Sequence, residues 1–499
     1  MRRTFFMIVL IVMVICCRQT HAALFGDNMV LQRGIELPVW GLDCEKGEKV
    51  TVEFNGVSKS AQADENGKWI VKMGPFQAGG PYEMKIIRKS KVTVLKNIMI
   101  GEVWICSGQS NMQWTLKKMN NANTEIEDAK YSDIRFLTIQ GTAGSRRLKI
   151  PSGSLNWYEC TPETAGELSA VAYFFGRELY KKLKVPVGLI VTAQGSSPIR
   201  SWISREAMEA NPIFKETLEE YKTFPQRKKA YAEKRTAYDK ALAKSRKDGT
   251  KPLPWPGSFE NEPTPGHYFY ARVYPLAPFG IRGVIWYQGE NDAMFKHART
   301  YKDFFPAMIN EWRSLWGYDF PFLYVQLAPL SKEPKNPVES SWAEVCDAQR
   351  QTMKMPGTAM IVTSDICEVS LHPKNKTDVG KRLAIAAEAL AYGKKNIVYS
   401  GPIFDKVRFA DEKARISFTH IAGGLVLKGD KLKCFTIAGA DRKFFNADAK
   451  IEGNTVIVHS DKVKNPKAVR YAWSQNLTGN LFNKEGFPAS CFRTDDWYR

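Results

Sequence analysis

Five short apolar runs recur between about residues 102 and 393 of the 499-residue chain, and segments with a helical pattern separate them. This alternation constrains the fold more than any other feature of the sequence, because a strand that is apolar along its whole length has to be buried on both faces. A parallel β-sheet with helices on both sides meets that requirement. The predicted strands are Val103–Cys106, Gly188–Thr192, Gly283–Tyr287, Phe322–Gln326 and Ala359–Thr363, and Val171–Lys184 is a predicted helix.

Short alternating segments flank this α/β region on both sides. They have the period of two that is typical of half-buried strands, and turns such as Asn55-Gly56 and Asn66-Gly67 separate them. Inside the α/β region, one stretch rich in Lys and Glu has a helical rhythm and is interpreted as a charged insertion. The predicted units are an N-terminal β domain (24–100), a central α/β domain (101–398) with the insertion near 205–256, and a C-terminal β region (399–499).

The N-terminus has the pattern of a signal peptide over residues 1–22. Two arginines precede an apolar run, and small residues follow up to Ala22, after which cleavage is expected. We therefore predict export, to the periplasm or as a secreted protein. The apolar run is shorter than the roughly 20 residues that a membrane span needs, so no membrane span is predicted. Cys16 and Cys17 leave lipid attachment as a weaker alternative, since the residues before them do not match lipoprotein processing.

The chain is strongly basic, with 72 Lys and Arg residues against 52 Asp and Glu residues and a formal net charge of +20. The basic residues are spread along the chain and form no blocks interleaved with aromatic residues, so no nucleic-acid partner is predicted. The nine cysteines include no Cys-x-x-Cys pair, and no histidine lies at metal-ligand spacing. The sequence therefore predicts no metal site and no cofactor. It leaves disulfides and buried free thiols equally open, and it does not indicate an oligomeric state.

The run Gly101–Met112 carries an apolar strand into a Ser-Gly-Gln-Ser turn. Open α/β sheets keep their sites at the carboxyl ends of the strands, which is where this turn places Ser110. Met112 stands where a G-x-S-x-G nucleophile elbow would have its second glycine, so the motif is not that of an ordinary α/β hydrolase. Taken alone, a serine in such a turn is more often structural than catalytic.

Two other predicted strands also run into polar or small residues. After Gly188–Thr192 comes a small-residue loop in which the backbone N–H of Gly195 is a candidate donor to an oxyanion. After Gly283–Tyr287 come Gln288 and Asn291, whose side-chain amides are candidates for the same role. The alternative interpretations are a tight turn for the first loop and a helix N-cap for the second.

A serine nucleophile needs a base, and His372 is the candidate. It lies in a loop just before an amphipathic helix, downstream of the predicted strand Ala359–Thr363. Two other histidines lie in the β tail, and His267 and His297 flank the third motif without following a strand end. Elimination therefore favours His372, although a lone histidine is more often an ordinary surface residue.

Three segments taken together resemble the sialate O-acetylesterase family of SGNH hydrolases. They are Gly-Gln-Ser-Asn-Met at 108–112, Trp-Tyr-Gln-Gly-Glu at 286–290 and His-Pro-Lys-Asn-Lys at 372–376, and the resemblance extends from Asp27 to Ser490. It implies a flavodoxin-like three-layer core with a parallel sheet and no metal ion. It also implies that the protein removes acetyl groups from sugar hydroxyls through an acyl-serine intermediate.

The resemblance further implies roles for individual residues. Ser110 attacks the ester carbonyl and His372 takes its proton. The backbone N–H groups of Ser110 and Gly195, with a side-chain amide from the 288–291 segment, hold the oxyanion. Gln109, inside the nucleophile turn, is a further candidate for binding the oxyanion or the substrate.

Two departures from the family pattern affect the site. An Asp shortly before the histidine is usual in the family, and this chain has Val369-Ser370-Leu371 there. Glu290 is the predicted replacement that orients His372, and Asp365 and a backbone carbonyl near Ser370 are the alternatives. The second loop also lacks the Trp-Gly-Gly-Thr that is typical of relatives, which leaves the acyl pocket and the choice of substrate open.

O-acetylated sialic acid is the substrate that the sequence favours, because the chain is basic and Arg200, Arg272 and Arg299 lie near the motifs. Arg272 is the predicted substrate-binding residue among them. Acetylated xylan or another plant glycan is the alternative, and a non-catalytic glycan-binding protein on the same scaffold is a weaker one. The presence of both Ser110 and His372 argues against a loss of catalysis.

Overall fold

The structure is a computed structural model that describes residues 24–42, 44–89, 91–141, 155–251, 253–256, 264–295 and 297–497. The predicted signal peptide, with Cys16 and Cys17, lies outside these residues, so export and lipid attachment stay predictions. In the described ranges no helix is long and apolar enough to cross a membrane. Each cysteine of these ranges is a free thiol, which settles between the two alternatives that the sequence leaves open.

The N-terminal strands form the β unit that the alternating pattern predicts. Asn55 and Gly56 make the turn of one hairpin, and both have positive φ angles, as a two-residue hairpin turn requires. The strands are β1 (Val30–Gln32), β2 (Leu37–Gly41), β3 (Lys49–Phe54), β4 (Val57–Gln62), β5 (Trp69–Met73), β6 (Gly79–Arg88) and β7 (Lys91–Gly108).

The central sheet continues with β8 (Tyr131–Thr138), β9 (Tyr158–Cys160), β10 (Val187–Val191), β11 (Gly283–Tyr287), β12 (Phe322–Val325) and β13 (Thr358–Ile361). Its strand order is β13-β12-β11-β7-β10-β8-β9. Neighbouring strands are parallel, and the edge strand β9 runs antiparallel to β8. The sequence prediction missed β8 and β9, because the first is half polar and the second is very short.

The strand β7 joins the N-terminal β unit to the central sheet. Its first half pairs antiparallel with β6, and its second half lies between β10 and β11. Because one strand serves both units, the predicted boundary at residue 100 falls inside a strand and not in a linker.

The helices are α1 (Ser110–Gln113), α2 (Ala122–Glu127), α3 (Ala170–Leu183), α4 (Arg205–Glu209), α5 (Lys215–Lys222), α6 (Phe224–Asp248), α7 (Glu290–Met294), α8 (Ala298–Trp316), α9 (Ser341–Thr352) and α10 (Lys376–Leu390). Successive residues of a strand point to opposite faces of a sheet. Trp104 and Cys106 of β7 therefore pack in the core that contains α3 and α10, whereas Val103 and Ile105 pack in the core that contains α8 and α9. These two cores confirm the predicted three-layer α/β architecture.

The charged insertion contains α4, α5 and the 25-residue helix α6. No residue of α5 is buried, and in α6 only Phe224 and Ser245 are. The helix ends at Gly249, whose φ of +63° gives the left-handed C-cap that glycine favours. The helices α5 and α6 are thus solvated along nearly their whole length, as the charged pattern predicts, whereas α4 buries Met208.

The C-terminal strands are β14 (Ile403–Ala410), β15 (Lys413–Thr419), β16 (Leu425–Leu427), β17 (Phe435–Ala438), β18 (Phe444–Asn446), β19 (Asp448–Glu452), β20 (Thr455–His459), β21 (Ala468–Tyr471), β22 (Leu481–Asn483) and β23 (Phe492–Arg493). They pair antiparallel in small sheets. The buried side chain of Gln326, after β12, donates to Ser490 Oγ at 2.8 Å, so this region packs directly against the central domain.

Candidate active site

The turn after β7 is held tightly against β11. Gly108 has a φ of +135°, and a Cβ atom there would lie 2.2 Å from the carbonyl oxygen of Tyr287, so only glycine fits. The backbone N–H of Gln109 donates to the same oxygen at 2.9 Å. The chain therefore turns sharply and presents Ser110 at the carboxyl end of the central strand, half-buried, as the first residue of α1.

The structure brings His372 to this serine. The Nε2 atom of His372 lies 2.9 Å from Oγ of Ser110. The indole of Trp114 stacks on the imidazole, with ring centroids 5.2 Å apart and an angle of 23° between the planes. The backbone N–H of His372 donates to Ser370 Oγ at 3.1 Å, which shapes the loop before α10. A serine and a histidine with a fixed ring plane are therefore brought together from positions 262 residues apart.

The protonation of His372 is set by burial and by two cations. Burial lowers the pKa of the imidazole, and the positive charges of Lys376 and Lys118 lower that pKa further. A lowered pKa keeps the ring neutral to a lower pH than an ordinary histidine, so Nε2 is available as a proton acceptor at neutral pH.

The sequence prediction expected Glu290 to orient His372, but no hydrogen bond joins the two side chains in the structure. Glu290 Oε1 accepts a hydrogen bond from Asn111 Nδ2 at 2.5 Å. The alternative acid, Asp365, forms a two-point ion pair with Arg382, with both contacts at 2.7 Å. Nδ1 of His372 has no hydrogen-bond partner among the described residues, so neither carboxylate nor a backbone carbonyl near Ser370 orients the ring here. Glu290 misses it because α7 turns the carboxylate towards α1.

Gly195 lies beside Ser110, in the loop that follows β10. A Cβ atom on Gly195 would be 3.7 Å from Cβ of Ser110. Its backbone N–H donates to the side-chain oxygen of Gln113 at 2.8 Å. An oxygen atom is thus already held where the oxyanion is expected, and it comes from an exposed side chain of α1.

The predicted amide side chains of Gln109, Gln288 and Asn291 are buried and form hydrogen bonds with neighbouring loops. Gln288 Nε2 donates to Ser197 O at 3.0 Å and to an Asp292 oxygen at 2.6 Å. Asn291 Nδ2 donates to Ser196 O at 3.0 Å. These contacts fix the loop that carries Gly195, and the role of the amides as oxyanion donors stays a prediction.

Gln109 has the same kind of role. Its Oε1 accepts hydrogen bonds from the backbone N–H groups of Gly289 and Asn291, at 3.4 and 3.3 Å. The side chain is buried, and both of these contacts are with backbone groups. It therefore ties the turn before Ser110 to the start of α7.

Arg272 is buried close to the loop after β10. Its guanidinium donates to the carbonyl oxygens of Gly141 and Ala193, at 2.9 and 2.8 Å, and to Gln194 Oε1 at 2.6 Å. Among the described residues no carboxylate pairs with it, and burial lowers its pKa to about 10. It also contributes to the wall of a cavity of about 530 Å³ that begins beside Gln113.

The other two arginines are placed differently. Arg200 is buried, and its charge lowers the pKa of the Asp292 carboxyl, which burial raises. Arg299 is exposed on α8. Arg272 is therefore the arginine of the three that combines burial at the site with the lack of a described acidic partner.

The sequence prediction missed Asn111, Gln113, Trp114 and Lys376. Asn111 and Lys376 lie inside the quoted motifs, but nothing in the sequence indicates that they meet. In the structure Lys376 Nζ donates to Asn111 Oδ1 at 2.5 Å. Only the folded chain reveals that these two residues are in contact.

The fold has three layers, with a parallel sheet between two layers of helices. A serine and a histidine are in contact at the carboxyl ends of its strands. This is the arrangement of an SGNH-type hydrolase. The sequence matches the family described as "carbohydrate esterase, sialic acid-specific acetylesterase" over residues 100–238 and 271–389. The chain belongs to this family and is a carbohydrate acetylesterase, a class of carboxylic ester hydrolase.

The sequence is similar to two sialate O-acetylesterases over most of its length. It is 30% identical to the sialate O-acetylesterase of Homo sapiens, covering 84% of this chain and 79% of that protein. It is 29% identical to the sialate O-acetylesterase of Pongo abelii, covering 91% and 87%. A crystal structure of a carbohydrate acetylesterase from Xanthomonas citri superposes with a TM-score of 0.81 at 33% identity, covering 96% of this chain and 100% of that one.

Proposed function

We propose that the protein is a serine esterase that removes O-acetyl groups from sialic acid through an acyl-serine intermediate. The distance of 2.9 Å between Ser110 Oγ and His372 Nε2 carries this proposal. At that distance the neutral imidazole takes the hydroxyl proton as the oxygen attacks an ester carbonyl.

The reaction has an acylation step and a deacylation step, and Ser110 and His372 act in both. Ser110 Oγ bonds to the acetyl carbon while its proton passes to His372. The bond to the sugar oxygen then breaks, and His372 returns the proton to that oxygen, which leaves as a free hydroxyl. Water, deprotonated by His372, next attacks the acetyl-serine, and acetate leaves as the serine hydroxyl re-forms.

The backbone N–H groups of Gly195 and Ser110 would hold the negative oxygen of each tetrahedral intermediate. Gln113 Oε1 accepts the Gly195 hydrogen bond in the structure, so the substrate oxygen has to replace it. Because Gln113 is exposed, its side chain can rotate away at little cost.

The cavity beside Gln113 supports a sugar at this position. Its wall includes Thr138, Asn156 and Tyr158, which offer hydrogen-bonding groups and an aromatic ring, and the buried Arg272. A guanidinium binds a carboxylate through two parallel hydrogen bonds, and sialic acid carries a carboxylate. The names of the human and orang-utan relatives support the same substrate.

A neutral acetylated glycan such as xylan is the second candidate substrate. Glu163 and Glu167 also line the cavity and would repel a sugar carboxylate placed near them. An acetate-release screen over O-acetylated sialic acids, acetylated xylan and pectin decides between the two. Absence of acetate release from all of them, without a burst from 4-nitrophenyl acetate, would mean a glycan-binding protein.

Arg272→Gln is expected to lower kcat/KM for an O-acetylated sialic acid by about 10-fold or more, a loss of about 1.4 kcal/mol or more, because it removes a charge-assisted contact. The loss for 4-nitrophenyl acetate should be smaller, since that ester has no carboxylate. The ratio of the two kcat/KM values measures the effect. It corrects for any disturbance of the Ala193 carbonyl that Arg272 also holds.

Arg272→Lys is the matched control, because it keeps the charge while it loses the planar fork. It should retain part of the preference for the acidic sugar. Equal losses on both esters in both variants would show that Arg272 only supports the loop.

A further inference from the structure

Buried side chains behind Ser110 form a hydrogen-bonded chain that the proposed chemistry does not use. Lys376 Nζ donates to Asn111 Oδ1, and Asn111 Nδ2 donates to Glu290 Oε1, each at 2.5 Å. The same Nδ2 donates to the carbonyl oxygen of Leu371 at 2.9 Å. Asn111 directly follows the nucleophile and Leu371 directly precedes the base. One amide group therefore ties the nucleophile turn to the histidine loop.

The charges at the two ends determine which way this amide points. The ammonium of Lys376 has only donors, and the carboxylate of Glu290 has only acceptors. Turning the Asn111 amide over would set nitrogen against the ammonium and oxygen against the carboxylate. The donor side of the amide consequently stays towards the Leu371 carbonyl.

The chain lies entirely in the protein interior. The exposed fractions are 0% for Lys376, 1% for Asn111 and 2% for Glu290. Two buried charges of opposite sign balance each other, whereas either one alone would be costly to bury. The ring of Tyr287, whose centroid is 5.3 Å from Nζ, offers the cation a further favourable contact.

We propose that Lys376 is a positioning residue of this esterase: together with Glu290 it orients the Asn111 amide, which holds Ser110 and His372 at their reacting distance. The inference rests on the proposed function. Lys376 acts through Asn111 and does not touch the substrate. It also explains why a glutamate that does not reach the histidine is buried next to the site.

The electrostatic surroundings predict how pH reveals this role. The cations that face His372 are Lys376 and Lys118, and both lower its pKa. Removing the charge of Lys376 therefore raises that pKa, and the acidic limb of the rate profile moves to higher pH.

Lys376 itself titrates at an accessible pH. Burial lowers its pKa to about 8, against the opposing influence of Cys367, Glu290 and Glu368. The charge is thus present at neutral pH and is lost as the pH rises past about 8. The wild-type rate should decline there.

The test is Lys376→Met, assayed with 4-nitrophenyl acetate across pH. Misplacing reacting groups by about 1 Å can cost roughly 100-fold, so we expect kcat to fall by about 10- to 100-fold with KM within about twofold. The acidic limb should move to higher pH, and the decline near pH 8 should disappear. Unchanged kcat with an unchanged pH profile would overturn the inference.

Lys118→Met is the matched control, because Lys118 is an exposed cation that faces the same imidazole. It should keep kcat, and its shift of the acidic limb should vanish at about 1 M salt, where the screening length is about 3 Å. The shift in Lys376→Met should persist at that salt concentration. A Lys376→Met shift that salt abolishes would contradict a buried pair.

Lys376→Met alone leaves a buried carboxylate unbalanced, so the double variant Lys376→Met/Glu290→Gln provides a second measurement if the single variant does not fold. The double variant should lose no more activity than the worse of the single variants, because both act on one amide. Retained wild-type activity in the double variant would overturn the inference. Labelling of wild-type Ser110 by a fluorophosphonate tests the proposed function separately, since it does not depend on any Lys376 variant.

Discussion

Ser110→Ala should lower kcat for acetyl esters by roughly 10⁴- to 10⁶-fold, because it removes the proposed nucleophile and leaves only binding and the oxyanion donors. The fold should be unaffected. The hydroxyl is half-buried and makes its side-chain hydrogen bond to His372 alone among the described residues. The measurements are kcat with 4-nitrophenyl acetate and with an O-acetylated sialic acid, and thermal unfolding by circular dichroism.

Ser107→Ala is the control for this substitution. Ser107 lies three residues earlier in the same motif, and its buried hydroxyl has no hydrogen-bond partner among the described residues. Its loss should leave kcat within a fewfold of wild type. If Ser110→Ala also stays within about tenfold, the acyl-serine mechanism is wrong.

His372→Asn should lower kcat about as much as Ser110→Ala does, since removing the base from a serine hydrolase costs about as much as removing the nucleophile. The pH profile gives the more specific result. Wild-type activity should fall as the pH drops through the lowered pKa of His372, because the protonated ring cannot accept the serine proton. The variant should lack this limb.

The control is His420→Gln, at an exposed histidine after β15 in the C-terminal region. It should keep both kcat and the acidic limb. An acidic limb that survives in His372→Asn would assign the titration to another group and would contradict the role of His372 as the base.

Much of the fold could be predicted from the sequence, because short, fully apolar runs that alternate with helical patterns are typical of the buried strands of a parallel sheet. Gly283–Tyr287 is a strand with the predicted bounds, and Val171–Lys184 matches α3 to within one residue at each end. The half-polar Tyr131–Thr138 escaped prediction, since its burial depends on neighbours that the local pattern does not contain.

The sequence by itself determined the family and the segments that form the site, because strand ends and their glycine turns are local features. The family resemblance implies the roles of Ser110, Gly195 and His372, with elimination also favouring His372, and these catalytic roles stay predictions until the variants are assayed. Only the tertiary structure decided which polar side chains meet. It turned Glu290 towards Asn111 and paired Asp365 with Arg382. Charged side chains pair with groups that lie near them in space, and that proximity cannot be read along one chain.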